Sequence, residues 1–303
     1  MKVFNVAFTV VHLPIAALAL QTPLQVPLST VKDFVNRVTV TLSFGTVIGS
    51  VSSIETFNGI PYADPPVGPL RLRPPQRLSR SLGEFDATGT AASCPRMPLF
   101  PDGAPSIPEE FRNAPFLEVE EGKTQEDCLT ISVRRTKGTK AEDKLPVLFG
   151  LFGFGYVNSD SKKYNEVVDK LLAYGAQAQK PFIYVAVNYR VAGFGFLGGK
   201  EILADGASNL GLLDQRMGLE WVAENIESFG GDPEKVTIWG ESSGSISVFN
   251  QMLLFNGNAT FKGKHLFQGA IMNSGSIMST DRVDGPKAQH IYDNVVERAG
   301  CKG

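Results

Sequence analysis

Histidine and cysteine are the scarce residues of this chain. Its 303 positions hold three of each: His12, His265, His290, and Cys94, Cys128, Cys301. No close Cys/His pair has the spacing of a zinc site, which argues against a metal centre. Surplus charge is also missing. The 29 basic and 31 acidic residues leave a formal net charge of −2, so nothing draws the chain to nucleic acid or to a polybasic membrane contact. No motif requires a cofactor, and there is neither a repeat nor a low-complexity tract. What remains is ordinary for a globular enzyme with a sizeable core: 43% hydrophobic residues, with 31 glycines and 19 prolines for loops.

The N-terminus reads as a targeting segment. Lys2 precedes the apolar stretch VFNVAFTVVHLPIAALAL, and Ala17-Leu18-Ala19 is a small-x-small site suited to signal peptidase. The alternatives are a membrane anchor or a core helix. With residues 1–19 as a signal peptide, His12 leaves with it, and 20–303 are the secreted N-terminal portion of a single domain. Three cysteines fit an oxidising compartment. A bridge across the Pro- and Phe-rich stretch between Cys94 and Cys128 would remove roughly 3–4 kcal/mol of unfolded-chain freedom, and Cys301 is left over. Asn258-Ala259-Thr260 is an N-glycosylation sequon.

Residues 38–44 alternate Val, Leu and Phe with Thr and Ser, which predicts a strand paired through Gly45 with the Val47–Ile54 stretch. The prolines of PPVGPLRLRPPQRL (65–78) predict an extended surface run. From residue 145 short apolar strands alternate with helical patterns. Strands are predicted at 145–151, 182–188, 236–239 and 269–273. Helices are predicted at 161–175, with Tyr164, Val167, Val168 and Leu171 on one face, at 211–230, with Leu212, Leu219, Val222 and Ile226, and at 245–255 and 288–300. This alternation predicts an α/β fold, a mostly parallel central sheet with helices on both faces, entered by an N-terminal antiparallel hairpin.

Gly240-Glu241-Ser242-Ser243-Gly244 matches G-x-S-x-G between a predicted strand and a predicted helix, the setting in which such a serine is an exposed nucleophile. The bland reading is a turn serine, and the strand–turn–helix context favours the nucleophile. Gly240 and Gly244 fit because strand and helix approach too closely for a Cβ, and the helix start offers free N–H groups to an oxyanion. Phe152–Tyr156, FGFGY, follows the 145–151 strand, where such folds place further oxyanion donors. Gly193–Gly198 matches G-x-G-x-x-G, but the residues after it show no apolar periodicity before Leu210, so no helix is predicted there and a dinucleotide fingerprint is not supported.

Together these stretches resemble the type-B carboxylesterase and lipase family, which includes cholinesterases and fungal secreted lipases. The resemblance rests on FNGIPYADPPVGPLRLRPPQ (57–76), Glu126-Asp127-Cys128-Leu129, NYRVAGFGFLGG, NLGLLDQRMGLEWVAENIESFGGDPEKVTIWGESSGS and AIMNSGS, in family order. It implies an α/β-hydrolase fold, a place among the fungal secreted members, and a serine hydrolase of small-molecule or lipid esters. Ser242 would be the nucleophile, and the N–H groups of Phe154, Gly155 and Ser243 the oxyanion hole. The family usually has Ala where Ser243 stands. It has three consecutive glycines where Gly153-Phe154-Gly155 stand, so Phe154 would adopt a glycine geometry at a cost of about 1–3 kcal/mol. The resemblance also implies a Cys94–Cys128 bridge closing a loop over the site entrance, with Phe100, Phe111 and Phe116 facing a lipid-like substrate or packing inward.

In this fold the triad runs Ser, then acid, then His. His265 lies in a basic run and His290 on the polar side of a helix, and neither falls at a family position. Asp281 and Glu297 match no family motif. The expectation is therefore a chain that stops partway through its catalytic domain, with the acid and the histidine absent, Cys301 unpaired and the sheet unfinished beyond 269–273. The rival expectations are a non-catalytic cholinesterase-like binding protein and an inactive, shortened gene product.

Overall fold

A computed structural model describes residues 36–97 and 123–301. The expected signal peptide with His12, and Phe100, Phe111 and Phe116, lie outside the described residues. The alternating segment at the start forms β1 (Arg37–Leu42), antiparallel to β2 (Gly45–Val51), with Val40 opposite Val47. The expected second strand does not run on to Ile54. Ser52 and Ser53 break it, and Ile54 opens β3 (Ile54–Pro61). The proline-rich run 65–78 carries only a 3-10 turn at Gly68–Leu70.

The other strands are β4 (Gly83–Asp86), β5 (Thr130–Thr136), β6 (Leu145–Leu151), β7 (Ile183–Val187), β8 (Gly231–Glu241), the small hairpin β9 (Thr260–Phe261) with β10 (Lys264–His265), and β11 (Gly269–Asn273). The main sheet runs β1-β2-β3-β5-β7-β6-β8-β11, with β4 beside β2. Pairing is antiparallel along β1-β2-β3-β5-β7, parallel between β2 and β4, and parallel across β7, β6, β8 and β11. The strand–helix alternation after residue 145 therefore builds the parallel half, and hairpin-like strands build the other.

Side chains alternate across the sheet, and β7 shows it directly. Ile183, Val185 and Val187 enter the main core with Phe149, Leu151, Leu219, Val222 and Ile238. Tyr184 and Ala186 face the opposite layer, against Val168 and Leu172. Each such burial of a large apolar side chain contributes about 1.5–3 kcal/mol. Helix α1 (Asn165–Gln177) forms that opposite layer but is turned relative to the expected face. Val168, Leu172 and Gly175 are buried, while Val167 and Leu171 stay 62% and 45% exposed. The backbone reason lies at Gly175, whose missing side chain lets the helix sit against the Lys180 carbonyl and the Phe182 ring. The Arg134 guanidinium, forked onto Asp169 at 2.7 Å for both bonds, fixes the same rotation from β5.

The stretch after Gly198, expected to hold no helix before Leu210, forms one short helix, α3 (Lys200–Ala204), and another, α2 (Ala192–Phe196), runs into the Gly193–Gly198 motif itself. Both are five residues long, too short for an apolar period to show in sequence. Helix α4 (Leu210–Asn225) buries the expected Leu212, Leu219 and Val222, and also Asp214, Gln215 and Arg216. Helices α5 (Ser243–Leu253) and α6 (Pro286–Arg298) complete the set. Among the described residues β11 is the sheet edge, with Ile271 46% exposed, and α6 buries no residue.

Asp214 is fully enclosed on α4. It takes Arg190 Nε at 2.8 Å, Arg190 Nη2 at 2.7 Å and the Arg190 backbone N–H at 3.0 Å. Arg190 also donates to the Arg73 carbonyl at 2.8 Å, so the pair joins α4, the end of β7 and the proline-rich run. Burial pushes the Asp214 carboxyl up and the guanidinium pulls it down. Asp214→Ala leaves a buried cation unpaired and is expected to cost about 3–5 kcal/mol in urea denaturation, more than replacing both partners by apolar residues of similar volume.

Candidate active site

The apolar run Val236–Trp239 carries β8 through the sheet between β6 and β11 to Gly240 and Glu241. Ser242 then turns the chain into α5 with φ 56° and ψ −126°, outside the wells an L-residue prefers. Two anchors hold it there: its N–H donates to the Asn273 carbonyl on β11 at 2.9 Å, and its carbonyl accepts from Ser245 N at 2.9 Å. A serine before a helix ordinarily caps it. The Ser242 side chain makes no cap bond, so its hydroxyl remains free for other chemistry.

Two glycines make the turn possible. A Cβ on Gly240 would collide with the Gly244 carbonyl, and one on Gly244 with the Leu151 carbonyl at the end of β6. The second contact brings the FGFGY loop to the serine. Gly153 lies so near that a Cβ there would stand 3.0 Å from the Ser242 Cβ. Beyond it the backbone stays left-handed for three residues, with φ 86° at Phe154, 67° at Gly155 and 62° at Tyr156.

The N–H groups of this loop divide into engaged and free. The Tyr156 N–H donates to Ser243 Oγ at 3.3 Å. Gly153, Phe154, Gly155 and Ser243 have no protein acceptor for theirs among the described residues. Phe154, Gly155 and Ser243 are the three expected from the sequence as oxyanion donors.

Several side-chain contacts escaped the sequence reading. Tyr164, taken there for a core-facing apolar residue, donates to Glu241 Oε2 at 2.9 Å, directly before Ser242. Burial and the Glu241 carboxylate push its phenol far above the ordinary range, so it stays a neutral donor. Tyr156 accepts at its hydroxyl from Ser247 at 3.1 Å, and Ser247 accepts from Gln215 at 3.0 Å. Gln251 and Arg216 continue this buried polar chain to the Asn258 carbonyl. Lone Tyr and Gln residues carry no motif, and only their neighbours across α4 and α5 reveal the chain.

The remaining candidates lie elsewhere. His265, on β10, lines a cavity of about 580 Å³ with Arg77, Trp221, Pro233 and Lys262. Pro233 is near the far end of β8, about 30 Å from Ser242 at ~3.3 Å per strand residue. His290 is exposed on α6, 3.1 Å from Asn294. Asp281 and Glu297 are exposed. Cys94 and Cys128 are bonded, with 2.02 Å between the sulfurs, and Cys301 is free and exposed. Asn258 is exposed, and its Oδ1 accepts from Thr260 N at 3.0 Å and Thr260 Oγ1 at 2.6 Å.

Comparison with known sequences agrees with this arrangement: residues 36–303 match the carboxylesterase family. The chain belongs to the carboxylesterase family. It is 56% identical over 272 residues to the secreted triacylglycerol lipase LIP1 of Gibberella zeae, a match that covers 88% of this chain and 46% of that protein. It is 48% identical over 269 residues to secreted lipase 1 of Botryotinia fuckeliana, covering 87% and 46%. Among solved structures, EstA of Aspergillus niger superposes with a TM-score of 0.71 at 29% identity, over 88% of this chain and 46% of that one. A thermophilic PNB esterase gives 0.67 at 30% identity, over 87% and 49%. The chain thus spans about half the length of the relatives it matches. In this carboxylesterase-family chain, Gly244→Ala forces backbone apart at the elbow and is expected to destabilise by about 3 kcal/mol or more, measured by urea denaturation. Gly206→Ala, with nothing within 4 Å of the added carbon, is the comparison, with a loss of about 1 kcal/mol for its positive φ.

Proposed function

We propose that this chain carries the nucleophile and oxyanion hole of a serine carboxylic ester hydrolase. The observation that carries the reading is the elbow at Ser242: φ 56°, ψ −126° and a hydroxyl that its own helix does not use. Ser242 Oγ would attack the ester carbonyl carbon. The tetrahedral oxyanion would be held by the N–H groups of Phe154, Gly155 and Ser243, each donor contributing about 10²–10³ to turnover. Collapse expels the alcohol and leaves an acyl-enzyme, which water hydrolyses. Lipid esters are the favoured substrates, in keeping with the names of the 56% and 48% identical lipases.

A base must take the Ser242 proton. Neither His265 nor His290 does so in this reading, because both bond or border other surfaces. The 303 residues alone then hydrolyse esters poorly. Imidazole in solution can stand in for the base. With a p-nitrophenyl ester, mass spectrometry is expected to find acylation at Ser242, accelerated about tenfold or more by imidazole and absent in Ser242→Ala. Acylation unaffected by that substitution would remove Ser242 as nucleophile. Fast turnover without imidazole, abolished by Ser242→Ala, would show that a base is present after all.

Secretion belongs to the same reading, with residues 1–19 as signal peptide and Asn258 as glycan acceptor. Its sequon is folded at the surface, and the two lipases named above are secreted. Expression through a eukaryotic secretory pathway is expected to yield a mature chain beginning at Leu20. Endoglycosidase treatment should lower its mass by one glycan, and Asn258→Gln should abolish that loss. An uncleaved N-terminus, or an unchanged mass, is the contrary result.

A further inference from the structure

The donor loop and the elbow meet at one side-chain contact. Phe154 holds φ 86° and Tyr156 φ 62°, conformations that are unfavourable for a non-glycine residue and persist only when neighbours over-determine them. The neighbours are at Tyr156. Its N–H donates to Ser243 Oγ at 3.3 Å, and its carbonyl accepts from Ala192 N at 2.6 Å. Its hydroxyl accepts from Ser247 at 3.1 Å, and its ring lies 4.5 Å from that of Phe196. Three of these hold the residue to α2 and to the middle of α5. The fourth, the Ser243 bond, ties the loop backbone to the elbow itself.

Ser243 is 4% exposed, so its hydroxyl has little water to compensate a lost partner. Without that oxygen the Tyr156 N–H would be left unpaired beside the strained loop. Phe154→Gly would remove much of the strain that the bond opposes.

We propose that the Ser243 hydroxyl is a positioning group. Through the Tyr156 amide it holds residues 154–156 in the left-handed conformation that leaves the Phe154 and Gly155 N–H groups free, and the chain requires it because residue 154 is Phe. Ser243 then acts twice, its N–H as an oxyanion donor and its Oγ as the strut that sets the other two donors. The catalytic meaning rests on the reading of Ser242 as nucleophile. The strut itself does not, and its test involves no ester.

The test is amide hydrogen exchange on the full chain, resolved by NMR. In Ser243→Ala the Tyr156 amide is expected to exchange about tenfold faster or more, with the Phe154 and Gly155 amide resonances displaced, while the Ser242 amide, bonded to the Asn273 carbonyl, stays within about twofold. Adding Phe154→Gly to Ser243→Ala leaves Tyr156 without its acceptor and fast in exchange, but the further displacement of the Gly155 amide resonance that Ser243→Ala causes should be at least halved in the Phe154→Gly background. Should Ser243→Ala fail to fold, Ser243→Thr and Ser243→Val form a pair matched in shape. The threonine is expected to protect Tyr156 about tenfold better than the valine. Equal Tyr156 protection with and without the hydroxyl overturns the proposal, and so does a displacement of the Gly155 amide by Ser243→Ala that is the same whether or not Phe154→Gly is also present. A failure of Ser242 acylation with these exchange results intact would count against the esterase reading alone.

Discussion

Backbone touches backbone where β8 turns into α5, and the rest of the site is arranged around that contact. Gly240 faces the Gly244 carbonyl, and Gly244 faces the carbonyl of Leu151 at the end of β6. No side chain fits in either gap. The turn therefore stays tight, Ser242 is driven to φ 56°, and the loop after β6 is drawn across the serine. Parallel pairing of β6 with β8, Leu151 opposite Gly240, supplies the register that lets the two strand ends meet. The Ser242 turn and the FGFGY loop thus stand at the ends of adjacent strands, and their proximity follows from sheet order.

Strain at the site is held by polar contacts from a wider region. Asn273 on β11 receives the Ser242 N–H, Tyr164 before α1 engages Glu241, and Tyr156 is bonded to α5. These groups come from segments far apart in sequence, so the site depends on the assembled sheet. The buried Arg190–Asp214 pair serves that assembly. It fixes α4 to the end of β7, and each of its two charges compensates the other in the interior.

Much of the architecture was legible because it rests on local periodicity. The apolar strands at 145–151 and 269–273 and the α4 positions Leu212, Leu219 and Val222 stand where their patterns place them. Less was legible where packing decides. The face of α1 is set by Gly175 against Lys180 and Phe182, and a pattern that also contains Val167 and Leu171 does not reveal that rotation. The two short helices after β7 fall below the length at which a period can be read, and the break of β2 before Ile54 lies in a pair of serines.

The same division holds at the site. By itself the sequence determined the family, the elbow pentapeptide and the glycines that only a close backbone approach requires, since these are local and compositional facts. The tertiary structure decided which amides of FGFGY remain free and that Phe154 occupies a left-handed conformation. It also decided that the Ser243 hydroxyl meets the Tyr156 amide and that His265 lies at the far end of β8. The physical reason is that a hydrogen bond between residues 87 positions apart depends on strand register and helix placement, and neither is written in the residues that form it.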